Sequence, residues 1–514
     1  MNMLLIIAGA ASLALLFCVV WGMLLRKASL PPGPRGLPLI GNLFDLPSDY
    51  DWIHWGTFKE KYGPISSITV MGKTIIILNS LKACTDLLEK RSSIYSDRPT
   101  LPFAGDLIGW NQQMILSPYG SSSFKGMRKM VYQFIGTRSS ITAFQALQET
   151  EMKEFLIRVS RDPRNLSKYI RLTQGAIFLR ISHGYNIKKS TPDPLINLVE
   201  TAAQDFYFAT TKVWMVDIFP WLRHMPLWLP FQRTAAKYRQ TNTNQAEIPH
   251  NFVKRQMDAK DTSYEHSFTS QYLLSPLSPA EEHVLKYAAN ALYGGGTDTV
   301  TATLSGFFLA MVLFPDVQKK AQQEIDDAIG QFRLPTFSDS DRLPYLAAVY
   351  KEVLRWHIIG PMGIPHAVME DDMYEGFFIP KGSVVLGNLW SIANDPQNYE
   401  NPAQFNPDRF YNVDSKDSKA LDPHDFAFGF GRRKCPGQDL ADANVWICMA
   451  MSLSVFDFSS DNSEGPPRAE FTSSTVSHPK PFRCTIRPRS TDAITLLQAI
   501  ESEVSLSDDN SSVL

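Results

Sequence analysis

Phe428-Gly429-Phe430-Gly431-Arg432-Arg433-Lys434-Cys435-Pro436-Gly437 sets one cysteine between a glycine-rich, basic loop and the expected start of a helix. Proline at a first helical position loses no hydrogen bond, so a helix opening at Pro436 makes Cys435 its N-cap. Its sulfur then accepts from backbone N–H groups that otherwise lack partners, which predicts a thiolate in preference to a thiol. Phe428, Gly429, Phe430 and Gly431 suit a backbone that passes close to a flat apolar ligand, and Arg433 offers a charged fork to an anionic group on it. A buried structural cysteine is the commoner fate of a lone Cys. That reading fits Cys18, Cys84, Cys448 and Cys484 better than Cys435, whose neighbours supply the electropositive setting of a reactive thiolate.

The pattern Phe-x-x-Gly-x-Arg-x-Cys-x-Gly, filled by Phe428, Gly431, Arg433, Cys435 and Gly437, resembles the haem-thiolate signature of the cytochromes P450. The resemblance implies a mainly α fold with a small β region. It makes Cys435 the axial ligand of haem b iron, with Phe428, Gly429 and Arg433 against the cofactor.

Bulk properties set limits on the rest. The chain has 514 residues, a formal charge of −2 and five cysteines. It shows no internal repeat and no linker that divides it, so one large domain is expected, here residues 46–500. Near-neutral charge argues against a nucleic-acid partner. Five cysteines without a C-x-x-C pair fit neither a disulfide scaffold nor a structural zinc site.

Residues 1–25 carry no charged side chain and are long enough to cross a bilayer as a helix, with Arg26 and Lys27 directly after. The expectation is a single-pass anchor over residues 1–27 in the endoplasmic reticulum membrane, its N-terminus lumenal and the body cytosolic. A cleaved signal peptide is the rival, and it would carry its basic residues before the apolar run. Residues 28–45 hold Pro31, Pro32, Gly33, Pro34, Gly36, Pro38 and Gly41, which read as a stiff hinge. Two β-rich runs, 65–70 and 74–78, flank Met71-Gly72-Lys73 as a hairpin. The acidic, serine-rich end, 501–514, is expected to be disordered.

Ser278-Pro279-Ala280-Glu281 reads as a capping box with proline at the first helical position, opening a long helix that runs to Phe314. Gly294, Gly295 and Gly296 stand in its middle, and each costs about 1 kcal/mol relative to Ala. Such a loss calls for a compensating gain: small residues let a ligand approach, and Asp298 beside Thr299 can distort the helix and admit water. A phosphate loop fails for want of the following Gly-Lys-Ser/Thr. The segment resembles the family's oxygen-binding motif, which places Gly295 and Gly296 at the haem and gives Asp298 and Thr299 proton delivery.

Other stretches fall on family positions in order. Arg128, with Phe124 where the family usually has Trp, resembles a propionate-binding pair; a Phe lacks the indole N–H, leaving Lys125 or a water to supply that contact. Glu352 and Arg355, on one face of a helix over 345–356, with Arg409 some fifty residues on, resemble the family's buried ionic triad. His366 matches a further propionate position, and Ile364 would face substrate. The run 438–458 reads as an amphipathic helix backing the haem, and 473–481 as a turn into the active site. Three tryptophans and three prolines recur over 213–231, excluding a spanning helix. That stretch fits a membrane-dipping roof over the substrate channel and ordinary core packing equally well.

The resemblance, extending to fungal members of secondary metabolism, implies a monooxygenase. Thiolate electron density from Cys435 promotes O–O cleavage, and one oxygen atom enters an apolar small molecule, a terpenoid or polyketide. Electrons would come from NADPH through a separate NADPH-cytochrome P450 reductase, with cytochrome b5 as a second donor, because the chain has no dinucleotide fingerprint of its own. A xenobiotic or fatty-acid oxidase, an oxygen-independent isomerase or dehydratase, and a non-catalytic haem-thiolate sensor are the alternatives.

Overall fold

The computed structural model describes residues 29–187, 192–259, 265–411, 420–461 and 466–503. The expected membrane anchor and the end of the acidic tail lie outside them.

In chain order the principal elements are α1 (Asp51–Tyr62), β1 (Ile65–Val70), β2 (Lys73–Leu78), α2 (Ser122–Ile135), α3 (Gln145–Arg161), α4 (Leu166–His183), α5 (Pro194–Thr211), α6 (Pro230–Asp258), α7 (Pro279–Leu313), α8 (Pro315–Ile329) and α9 (Pro344–Trp356). They are followed by β3 (His366–Ala367), β4 (Asp372–Tyr374), β5 (Phe377–Ile379), β6 (Val384–Gly387), α10 (Gln438–Val455), β7 (Phe456–Ser460), β8 (Cys484–Pro488) and α11 (Thr491–Glu503). This is the mainly helical architecture expected, with small sheets at its edge. The largest sheet has the order β1-β2-β6-β3, in which only β2 and β6 run parallel.

The long helix α7 organises the core. Ser278 caps it through the Glu281 N–H, the box closes reciprocally, and Phe314 ends it before Pro315. Its buried residues run all round its C-terminal half, from Val300 to Val312, so α2, α4, α9 and α10 pack on it from several sides. Length and composition alone would let α7 cross a membrane, but it is the central core helix. The helix is continuous through its three glycines and through Asp298 and Thr299, where a distortion was expected. The hydroxyls of Thr297, Thr299, Thr301, Thr303 and Ser305 each bond the carbonyl four residues back, which keeps these polar groups inside the helix's own surface.

Several boundaries differ from expectation for local reasons. The hairpin turn is the two-residue Met71-Gly72, both at positive φ as a type I′ turn requires, so Lys73 belongs to β2 and pairs with Val70. The proline segment lies along the sheet edge: Ser67 N–H donates to the Pro32 carbonyl and Gly41 bridges Val70. Helix α10 stops at Val455, where the chain turns into β7, and is buried on all sides over its last dozen residues, so its expected amphipathicity fails. At the C-terminus α11 continues through Glu503. Arg161 pairs with Glu501 and Lys153 with Glu503, which holds the first three residues of the acidic stretch in a helix.

Candidate active site

Helix α10 begins at Gln438 with Gly437 as its N-cap, so Cys435 precedes the cap instead of forming it. Pro436 and Gly437 make a turn that aims the Gly437 N–H at the sulfur. The loop closes on itself through Cys435 N–H to the Phe428 carbonyl at 2.8 Å. Gly431 sits at φ +52, and a Cβ there would lie 2.5 Å from the Leu88 carbonyl oxygen, so only glycine fits. Gly429, at φ +78, has open space where a Cβ would go.

The thiol of Cys435 is accessible and yet lies deep in the protein. Burial pushes it above its ordinary range, while the Gly437 N–H, Arg128 and Lys434 pull the other way and lose. Burial therefore favours the thiol, and the expected thiolate needs a cation on the sulfur, which deprotonates a coordinating thiol outright. A sulfur that is accessible on one side and desolvated by the protein on the others is placed to ligate a metal ion.

One side of this loop is cationic. Arg433 donates to the carbonyls of Ser96 (2.8 Å), Met114 (3.3 Å) and Ser117 (2.6 Å), and its guanidinium lies 3.8 Å over the Phe124 ring. Arg128 donates to the Lys434 carbonyl at 2.8 Å. Arg98 donates to the carbonyls of Ile115, Ile364 and Pro365. His366 bonds the Tyr95 carbonyl through Nδ1 at 2.7 Å. Burial lowers all four: Arg433 to about 10, His366 to about 3, and Arg98 and Arg128 below the guanidinium range. His366 is thus neutral at physiological pH. Among the described residues none of these three arginines forms an ion pair; their donors are spent on carbonyls, and the one carboxylate that acts on Arg98 and Arg433, Asp97, leaves the group with a surplus of positive charge. This donor set suits the two carboxylates of haem b, and the accessible thiol suits its iron.

Phe124, which has no N–H to donate, forms a cation–π platform under Arg433, and Lys125 next to it on α2 is exposed. Arg98 was not legible beforehand, because it stands in an irregular stretch whose only signal is the following proline.

On α7, Gly295 has no atom within 4 Å of where a Cβ would lie, and Thr299, one turn on, bonds the Gly295 carbonyl. These two share an open face. Gly296 points elsewhere: a Cβ there would strike the Phe178 ring at 2.3 Å, so this glycine, expected at the cofactor, serves the packing of α7 on α4. Asp298 also turns away, toward α5, where it accepts from the Tyr207 hydroxyl and meets His478 Nε2 at 3.2 Å. Burial alone would raise its carboxyl; His478, Tyr207 and Arg171 outweigh that and hold it below the usual range. Ile364, expected to face substrate, packs against an apolar group that holds Phe103, Ile115 and Phe206.

The residue match decides the family: the cytochrome P450 family model covers residues 31–486. This chain is a cytochrome P450. It is 54% identical over 485 residues to cytochrome P450 monooxygenase claR of Ampulloclitocybe clavipes, covering 93% of this chain and 90% of that protein. It is 43% identical to cytochrome P450 monooxygenase 208 of Postia placenta (96% and 97% covered) and 40% identical to ppsD of Aspergillus oryzae (94% of each). The chain is a P450 monooxygenase and so an oxidoreductase.

A histidine-centred cluster lies behind the P450 cysteine loop. His424 bonds Asp422 through Nδ1 at 3.0 Å, pairs with Asp442 through Nε2 at 3.4 Å, and stacks on Phe428. Burial opposes its charge, but the two carboxylates prevail and raise it from 6.5 to about 9. A folded-state value above the unfolded one stabilises fully below about pH 6.5, and that stabilisation is lost as pH rises through about 9. The denaturation midpoint should therefore fall over that window, by an amount equivalent to about 1–2 kcal/mol once partial exposure is allowed for. His424→Arg, which keeps the charge, should flatten the profile.

Proposed function

We propose that this P450 inserts one oxygen atom from O2 into an apolar small molecule of fungal secondary metabolism, a terpenoid or polyketide, using electrons from NADPH delivered by a separate membrane-bound reductase. The observation that carries the reading is the accessible, desolvated Cys435 thiol beside three arginines whose positive charge exceeds what Asp97 offsets. Cys435, Arg98, Arg128, Arg433 and His366 would hold haem, which would supply the iron chemistry that activates O2. Gly295 leaves room on α7, and Thr299 stands one turn away with a hydroxyl able to hold and pass a proton. Asp298 is consecutive with Thr299 but about 100° round the helix. A water or a side-chain swing must join them.

Arg432 and Lys434 beside the cysteine, with Lys129 on α2, are exposed. They support docking of an acidic electron donor, the reductase or cytochrome b5, on that face. The stretch 213–231 supports both of its expected roles. Trp214 stacks on Phe103 at 3.6 Å, roofing the apolar group, while Trp221, Leu227 and Trp228 are each more than 60% exposed. Lys73, at the hairpin end, donates to the Asp217 carbonyl, which brings Met71 and the exposed Leu39 toward the same face. A tryptophan-bearing apolar face of this kind suits contact with the endoplasmic reticulum bilayer.

The test is co-expression with a fungal reductase and a panel of terpenoid and polyketide scaffolds, read by mass. Products gaining one oxygen, dependent on NADPH, are expected; turnover that ignores NADPH would overturn the oxidative reading. Thr299→Ala should bind substrate normally but divert NADPH to peroxide, lowering product formation by about 10²-fold.

A further inference from the structure

The carboxylate of Asp298 is engaged on the side of α7 away from the open face, and what engages it forms the floor of a second cavity. A cleft of about 960 Å³ opens between the start of α4, α5, α7 and the segment before β8, with Arg171, Glu200, Tyr207, Asp298, His478 and Lys480 in its wall. Side-chain exposure is 46% at Arg171 and 48% at Lys480, and falls to 22% at Asp298 and 17% at His478. The charged groups are therefore graded from a wet mouth to a sheltered floor. Neither Cys435 nor any of the propionate-side cations lines this space.

The segment that carries His478 is clipped in place. Its N–H donates to Thr472 Oγ1, Ser477 N–H donates to the Ile359 carbonyl, and Thr475 meets Thr210 of α5 at 3.0 Å. The imidazole is thus a fixed partner of Asp298.

We propose that this cleft is the proton intake of the enzyme and that His478 loads Asp298 with protons drawn from water in it. The step is a transfer between two acids. The Nε2–H bond of the protonated ring breaks, the proton goes to Asp298 Oδ2, and the neutral imidazole regains its charge from water or buffer acid in the cleft. No oxidant or reductant is needed, and the monooxygenase reaction consumes the protons delivered. Tyr207 cannot share the task. Burial and the Asp298 charge hold its hydroxyl well above its ordinary range, so it stays a fixed donor. Of the two partners, only the imidazole has a second ring nitrogen through which it can be reprotonated after giving up the first proton. Glu200 and Arg171, at 3.9 Å from one another, and the Lys480–Glu470 pair neutralise each other nearer the mouth.

The inference rests on the reading of Asp298 and Thr299 as the proton-delivering pair, and the experiment separates the two. His478→Gln keeps an N–H for Asp298 but cannot cycle a proton. In the reconstituted holoenzyme it should lower product formed per NADPH by about tenfold, the low side of the range for a positioned acid because water in the cleft substitutes in part. It should also raise the solvent deuterium isotope effect on NADPH consumption, a change that a merely structural role of the ring would not produce. The reduced, carbon monoxide-bound spectrum should stay as in the wild type. Asp298→Asn should uncouple at least as strongly. If Asp298→Asn uncouples and His478→Gln behaves as the wild type, the intake role of His478 is overturned and the acid–alcohol pair stands. If Asp298→Asn itself stays coupled, the pair falls and the inference with it. A readout free of turnover is the nitrogen-15 shift of the His478 ring, assigned as the signal lost in His478→Gln. It should move in Asp298→Asn, and an unmoved signal would overturn the contact even if His478→Gln failed to take up haem.

Discussion

Cys435→Ser is expected to abolish the thiolate-type Soret band of the reduced, carbon monoxide-bound protein and, with it, all NADPH-dependent product. The hydroxyl of serine is too weak an acid to take the place of a thiolate on iron, and the electron density that favours O–O cleavage leaves with the sulfur. The loop itself should survive. Its closure runs through the backbone N–H of residue 435 to the Phe428 carbonyl, and its shape is set by glycine at 431, neither of which involves the side chain. Arg98, Arg128 and Arg433 also remain, so the variant should still take up haem, with an altered spectrum. Cys448→Ala is the control. That thiol is buried in α10, where burial pushes it up to about 12, and its loss should leave the band in place. A thiolate band that persists in Cys435→Ser would show the ligand to be another residue. Purification of the intact chain without porphyrin, despite ample haem supply, would undo the assignment more completely.

Which parts of this site could be read in advance follows from what spacing encodes. The cysteine loop was legible because its constraints are local: positive φ at Gly429 and Gly431 is written in the residue type, and so is the cap of α7 at Ser278 and Glu281. Periodicity also put Glu352 and Arg355 on one helix face. Periodicity says which residues share a face, however, and not what that face meets. Gly295 and Gly296 looked equivalent by composition, yet one faces open space and the other Phe178, because consecutive helical residues point about 100° apart. For the same reason Asp298 and Thr299, adjacent in the chain, look to different sides. Arg98 had no periodic neighbours to mark it. Its role rests on carbonyls at 115, 364 and 365, contacts that only the tertiary fold creates. Cys435 reads as an N-cap and is not one, because Pro436 is compatible both with a first helical turn and with the tight turn that precedes one.

Glu352→Ala should be the most damaging substitution outside the haem site. Arg355 grips Glu352 with two parallel bonds of 2.8 and 2.7 Å, and both side chains are fully buried. Arg409 approaches the same carboxylate at 3.4 Å, and the Asn406 N–H donates to it at 2.8 Å. Arg355 also donates to the carbonyls of Ala393, Pro402 and Gln404, so one guanidinium ties α9 to the segment that leads to the cysteine loop. Removing the carboxylate leaves two cations facing each other out of water, a loss of about 3–5 kcal/mol against a whole-protein stability of about 5–15 kcal/mol. Glu352→Gln distinguishes charge from hydrogen bonding. It keeps an acceptor for Arg355 and Asn406 but not the countercharge, so it should recover no more than about 1 kcal/mol of the loss. Denaturant midpoints and the fraction of protein recovered with haem would report both variants. Asp408→Ala sets the scale from the other end. It breaks the Lys320–Asp408 pair, whose partners are 46% and 56% exposed, and should change stability by less than about 1 kcal/mol. If Glu352→Gln were nearly as stable as the wild type, the network would be held by geometry alone, and the account of it as a charge-balanced triad would have to be given up.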